Sequence, residues 1–201
     1  MADSLGGLAL FDFDGTLTDR DSFMDFLRRS TSLAGWCWGL LRSLPAVLAW
    51  KLGLLSRQRA KERVLGIFLG GMDELRLRKL CQLYARERVL EILRPAALRK
   101  LAWHQREGHR VVIVSASPAD WIEPWAQPRG IELVASRLQI VDGRVTGALD
   151  QANCIGAEKV RRLQTLLNPP EYSPVFAYGD SSGDRELLAL AEHPEYRPFR
   201  D

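Results

Sequence analysis

Cysteine is scarce in this chain of 201 residues. Cys37, Cys81 and Cys154 are odd in number, far apart and without any C-x-x-C spacing. That argues against a disulfide framework or a cysteine-based zinc site and predicts a reducing, cytoplasmic setting. No basic stretch followed by an apolar one precedes the first strand, so no secretion signal is expected. Long apolar runs are missing as well. In the most apolar region the charge-free stretches are Ser30 to Leu41 and Ser43 to Trp50, twelve and eight residues. A spanning helix needs about 18 or more. Pro45 also interrupts that region, so the expectation is two short helices between Leu33 and Ser56 and no transmembrane span. Net charge is low, +3, which is too little to imply a nucleic-acid partner. There is no internal repeat and no low-complexity run.

What is present is an ordinary apolar content of 46%, enough for a packed core and too much for a disordered chain. The length suits one domain with an insertion or a small cap. Charge is unevenly spread. Residues 21–110 hold 18 Lys/Arg against 8 Asp/Glu, a balance of +10, and the remainder holds 10 against 17, a balance of −7. An acidic part is thus joined to a basic one. The basic part reads either as solvated helix faces or as a lid over an anionic substrate or anionic membrane surface.

The chain is organised around Leu8 to Thr18, LALFDFDGTLT. Leu8–Phe11 reads as a buried parallel strand, and a site is expected at its carboxyl end. Alternation along an extended chain sends Phe13 to the core and turns Asp12 and Asp14 to one side. Two such carboxylates are costly there unless a cation or a shared proton compensates them.

Downstream, Phe23, Phe26 and Leu27 are spaced for one helix face, with Asp21 near its start. The stretch 33–56 holds three of the six tryptophans, Trp36, Trp38 and Trp50. It fits a packed helical cap, or a face resting on lipid with Arg42 and Lys51 near headgroups. Ser56–Leu69 and Met72–Leu93 carry further helical patterns, and Pro95 opens another that Gly108 ends. An α/β pattern then resumes. It comprises a strand at Val111–Val114, a helix around Trp121, Ile122 and Trp125, and a strand at Ile131–Ala135. An Asp142-Gly143 hairpin, a helix over Gly156–Leu167, a strand at Val175–Tyr178 and a last helix over Arg185–Glu192 follow. Loops at the carboxyl ends of parallel strands gather at one sheet edge. Asp12, Asp14, Ser115, Lys159, Asp180 and Asp184 are therefore expected to converge.

Those types suit phosphate monoester chemistry. Asp12 serves as a nucleophile, Asp14 as the proton donor and acceptor, and Ser115 and Lys159 as donors to the phosphoryl oxygens. Oxygen ligands suit a hard Mg²⁺ ion. The four segments DFDGT, VSAS, GAEK and GDSSGD also resemble, in order and spacing, the motifs of the haloacid dehalogenase-like (HAD) phosphohydrolases. The resemblance implies an α/β fold, a Rossmann-like parallel sheet (residues 1–19 and 95–201) with an inserted all-helical C1 cap (residues 20–94). It implies Asp12 and Asp14 as catalytic residues and Thr16, Ser115 and Lys159 as phosphate ligands. It further implies Asp12, Asp14, Asp180 and Asp184 as Mg²⁺ ligands or their support. Within that superfamily the chain is similar to the phosphoserine phosphatase-like subfamily IB. Asp21 stands near the place of a substrate-binding Glu there, and Arg63 near that of a cap arginine. Gly183 stands where those enzymes have Asn, and the apolar, Trp-rich cap resembles the phosphatidylglycerophosphatase C branch.

The expected activity is hydrolysis of a small phosphorylated metabolite or a lipid headgroup phosphate, in the cytoplasm or against the inner face of the membrane. A phosphotransferase or mutase of the same fold, and a non-catalytic membrane-surface module, are the other readings.

Overall fold

The computed structural model describes residues 5–200. Its centre is a parallel sheet of five strands in the order β3-β2-β1-β6-β7. These are β1 (Leu8–Phe11), β2 (Arg110–Pro118), β3 (Glu132–Ser136), β6 (Val175–Gly179) and β7 (His193–Tyr196). β1 lies between β2 and β6, Phe11 pairing with Ile113 on one side and Tyr178 on the other. All four of its residues are fully buried, as its unbroken apolar run predicts. Alternate side chains feed two cores. Ala9 and Phe11 pack with Tyr178, Ile113 and the inserted helices, while Leu8 and Leu10 pack with Val112, Val175, Leu163 and Leu187. The expected α/β class with a parallel sheet is what the chain adopts.

Between β1 and β2 run α1 (Ser22–Arg29), α2 (Leu33–Lys51), α3 (Arg57–Leu69), α4 (Glu74–Glu87), α5 (Val89–Ile92) and α6 (Pro95–Arg106). The caps are legible residue by residue. Asp21 accepts from Met24 N–H, Ser32 from Gly35, Ser56 from Arg59, and Asp73 from Leu75 and Arg76. After β2 come α7 (Ala119–Ala126), the antiparallel hairpin β4 (Leu138–Val141) and β5 (Arg144–Leu149), α8 (Ala157–Leu166) and α9 (Arg185–Leu188). The hairpin does not stay on the sheet. It reaches over to the inserted helices, with Gly71 N–H donating to Val145 C=O and Val145 N–H to Met72 C=O. Gly147 packs so closely on Gly66 of α3 that a Cβ there would strike the Gly66 backbone.

Two expectations need correction. Pro45 does not divide the apolar stretch, since α2 is one helix through it. An internal proline costs about 3 kcal/mol. Here the small residues Gly39, Ser43 and Ala46 let α2 lie close on its neighbours, with Phe68 of α3 against Gly39. That packing offsets the lost N–H. The last helix also ends at Leu188, not Glu192, and His193–Tyr196 becomes the edge strand β7. Pro194 is tolerated there because an edge strand has one unpaired side. Among the described residues no helix is long and apolar enough to cross a membrane.

Candidate active site

The ladder between β1 and β6 continues one residue past β1, with Asp12 N–H donating to Tyr178 C=O at 2.9 Å. The chain then turns sharply over Phe13–Leu17, with Gly15 at φ +79°. A Cβ on Gly15 would collide with the Asp180 carboxylate, so the turn needs glycine both for its backbone and for the close approach. Phe13 is buried against Trp125. Asp12 and Asp14 line one cavity of about 900 Å³ at the carboxyl edge of the sheet, roofed by the inserted helices.

Asp12 sits at the floor. Its Oδ1 accepts from Lys159 Nζ at 2.6 Å, and Lys159 Nζ donates equally, at 2.6 Å, to Asp184 Oδ1. Lys159 is only 2% exposed, and Asp184 1%, so one ammonium joins two buried carboxylates. Burial works against the charged lysine, but Asp12 and Asp184 outweigh it and hold Lys159 protonated. Burial pushes the Asp12 carboxyl up to about 7, with Lys159 pulling the other way. Burial also acts to raise Asp184, but the Lys159 charge prevails and keeps it below the ordinary carboxylate range. Asp184 Oδ2 accepts from Ser181 N–H and Oγ and from Asp180 N–H, which fixes the GDSSGD loop around it. Oxygens of Asp12, Asp180 and Asp184 lie within 4.8 Å of one another, a set of hard donors that fits Mg²⁺. Asp180 is raised by burial and by Asp184, and Arg200 donates to its Oδ2 at 2.7 Å.

Asp14 faces the cavity differently. Its Oδ1 accepts Ser22 N–H at 2.6 Å and its Oδ2 the Ser117 hydroxyl at 2.5 Å. Burial and the negative charge of Asp21 raise its pKa, against those hydrogen bonds. Its side chain stands apart from the three-carboxylate group, while Asp21 caps α1 and lines the cavity.

The remaining expected residues are placed less directly. Thr16 and Ser115 are fully buried and do not line the cavity. Thr16 Oγ1 donates to Asp12 Oδ2 at 3.4 Å, and Ser115 Oγ accepts from Ser117 N–H at 3.0 Å. Arg63 is exposed and outside the cavity, which α3 lines instead with Arg57, Ala60, Lys61 and Val64.

Ser117, Lys61 and Asn153 were not anticipated from sequence. Lys61 Nζ donates to Ala116 C=O at 2.6 Å and Asn153 Oδ1 at 3.1 Å, tying α3 to the end of β2 that carries Ser117. Burial lowers its pKa to about 8, with Asp14 and Asp21 opposing. A signal existed. Ala60, Lys61, Val64 and Leu65 share the inward face of an amphipathic helix, and a lysine on such a face needs an acceptor.

The chain is 38% identical over 197 residues, 96% of its length and 86% of the relative's, to Protein CicA of Caulobacter vibrioides. Its fold resembles the crystal structure of a protein with unknown function from Bordetella pertussis Tohama I, with a TM-score of 0.80 at 24% identity, over 94% of this chain and 88% of that one. It also resembles a probable phosphoserine phosphatase from Vibrio cholerae, with a TM-score of 0.68 at 19% identity, over 92% of this chain and 54% of that one. The profile of the haloacid dehalogenase-like hydrolases matches residues 9–189, strand β1 through α9, and this chain belongs to that family.

Proposed function

We propose that the protein is a Mg²⁺-dependent phosphomonoester hydrolase working through an aspartyl-phosphate on Asp12. The observation that carries this reading is Asp12 itself. It is buried beneath the cavity, with Oδ1 held by Lys159, and grouped with two further carboxylates. Asp12, Asp180 and Asp184 would hold the cation, Asp14 adding its backbone carbonyl. Mg²⁺, when bound, neutralises the phosphoryl oxygens that Asp12 would otherwise repel.

An Asp12 oxygen forms a bond to phosphorus as the bond from phosphorus to the substrate alcohol breaks. Asp14, whose pKa burial and the negative charge of Asp21 raise, gives a proton to the departing oxygen. Asp14 then takes a proton from water, whose oxygen attacks the aspartyl-phosphate. Inorganic phosphate leaves, and both side chains return to their starting states. Lys159 supplies a fixed positive charge toward the transferring group. Ser117 orients Asp14, Thr16 orients Asp12, and Ser115 holds the backbone of Ser117 at the end of β2.

Cavity size bears on the substrate. About 900 Å³ is near the upper end of the usual range of roughly 300–1,000 Å³ for small-molecule sites. Phe23, Leu40, Leu44, Val47 and Trp50 give it an apolar wall, and Arg57 and Lys61 add positive charge. That supports a phosphomonoester with an apolar portion, a lipid headgroup phosphate, over a small metabolite such as phosphoserine. It equally supports a peripheral location at a membrane.

The test compares hydrolysis of an aryl phosphate with Mg²⁺ by wild type and by Asp12→Asn. Loss of turnover in the variant is expected, and equal rates would refute the proposal. A substrate panel then separates lipid phosphates, expected to be preferred, from soluble ones. Transfer of the phosphoryl group to an added alcohol in place of water would favour a phosphotransferase.

A further inference from the structure

Helix α2 turns its large side chains the wrong way for a helix that packs on a core. Leu33, Leu41, Leu44, Leu48 and Leu52 recur at helical spacing along one stripe from the start of α2 to its C-cap. The four from Leu41 to Leu52 are 56%, 51%, 56% and 72% exposed. On the opposite side are the residues α2 buries, Gly39, Ser43 and Ala46, all small. Trp38 and Leu54 extend the exposed apolar surface to 62% and 77% exposure. A continuous stripe of this kind marks an interaction surface, unlike single exposed leucines.

Charge identifies the occupant. From Ser30 to Lys61 the chain contains no Asp and no Glu, although one residue in four of the whole is charged. Arg42, Lys51, Arg57 and Arg59 are all exposed in this acid-free segment. An apolar helix face in a segment whose only charges are cations fits an anionic bilayer surface, with leucines below the headgroups and cations among them. The face is also continuous with the catalytic cavity, because Leu44 belongs to the stripe and to the cavity wall, as Leu40 and Val47 do on the inner side.

We infer that α2 docks the protein on anionic lipid bilayers through the Leu41–Leu44–Leu48–Leu52 stripe, with the cavity mouth against the headgroups. Docking itself stands independently of the hydrolase reading. Only its consequence, delivery of a lipid phosphate to Asp12 without leaving the interface, rests on that reading.

Flotation of the full chain with vesicles tests it, using phosphatidylcholine alone or mixed with phosphatidylglycerol. Wild type should float with the anionic vesicles, less so at high salt, and poorly with the zwitterionic ones. The double variant Leu41→Glu, Leu48→Glu alters residues outside the cavity lining. It should lose about tenfold or more in vesicle partitioning, the scale expected from removing buried leucines. Its thermal melt and its turnover of a soluble aryl phosphate should match wild type. Flotation with neither vesicle, or equal flotation by the double variant, overturns the docking surface. Equal flotation with both vesicles overturns the anionic assignment. A wild-type dimer that the double variant converts to monomer, with no vesicle binding by either, assigns the face to a second copy and overturns the proposal. If docking is found but Asp12→Asn turns over like wild type, the hydrolase reading falls and the docking stands.

Discussion

Replacing Lys159 by methionine removes a cation placed between Asp12 and Asp184, 2.6 Å from each. Methionine has nearly the same length and no charge, so the cavity floor stays filled while two buried carboxylates lose their partner. Breaking a buried pair by deleting one member costs about 3–5 kcal/mol, a large share of the roughly 5–15 kcal/mol that holds a domain folded. The cost depends on pH. Without Lys159, Asp184 loses the charge that holds it below the ordinary carboxylate range, and Asp12, already at about 7, rises further above its unfolded value of 3.8. A carboxyl whose folded pKa is raised contributes stability below its unfolded value and loses it as pH climbs through the folded one. The deficit of Lys159→Met should therefore be small at pH 5 and largest near pH 8. Urea denaturation in EDTA at both pH values measures it, and added Mg²⁺ should recover part of the loss by replacing the missing charge. A variant within about 1 kcal/mol of wild type at pH 8 in EDTA would show that Lys159 does not hold the two carboxylates, since that is less than the low end of the range for one broken pair.

Three further outcomes follow from the same geometry. Ser117→Ala removes the 2.5 Å hydrogen bond that favours ionised Asp14, so the Asp14-dependent limb of a kcat/KM–pH profile should move to higher pH. Gly15→Ala forces a side chain into φ +79° and against Asp180, and titration should show weaker activation by Mg²⁺ with turnover falling accordingly. His104 is buried between His109 Nδ1 at 2.8 Å and the Tyr178 hydroxyl at 2.9 Å, and burial, with the charges of His109 and Lys100, lowers its pKa to about 3. The unfolded chain then binds the extra proton, so stability falls as pH drops below about 6.5. Chemical denaturation between pH 4 and 6.5 should show wild type losing about 1.4 kcal/mol per pH unit more than His104→Gln.

The parts of this molecule that were legible in the sequence are those decided locally. Leu8–Phe11 is a buried strand because four apolar residues meet a turn that only glycine allows, and Asp142-Gly143 is a hairpin because its backbone demands it. Helix starts at Asp21, Ser56 and Asp73 carry their own capping oxygens. What escaped depends on tertiary contact. Pro45 reads as a break, yet α2 continues through it, with Gly39, Ser43 and Ala46 on its buried side. His193–Tyr196 is exposed along its whole length and has no apolar pattern, so only its pairing with β6 makes it a strand. In α3 the sequence pointed to Arg63 as the cap residue facing substrate. The helix turns Lys61 inward instead, to acceptors on Ala116 and Asn153 that are distant in sequence.

Hydrolysis through Asp12 requires a covalent bond between its carboxylate and phosphorus, which acid-quenched mass spectrometry during turnover with Mg²⁺ detects directly. One phosphoryl group on the peptide containing Asp12, absent in Asp12→Asn, is the predicted result. Turnover by wild type with no such adduct, together with undiminished activity in Asp12→Asn, would contradict it.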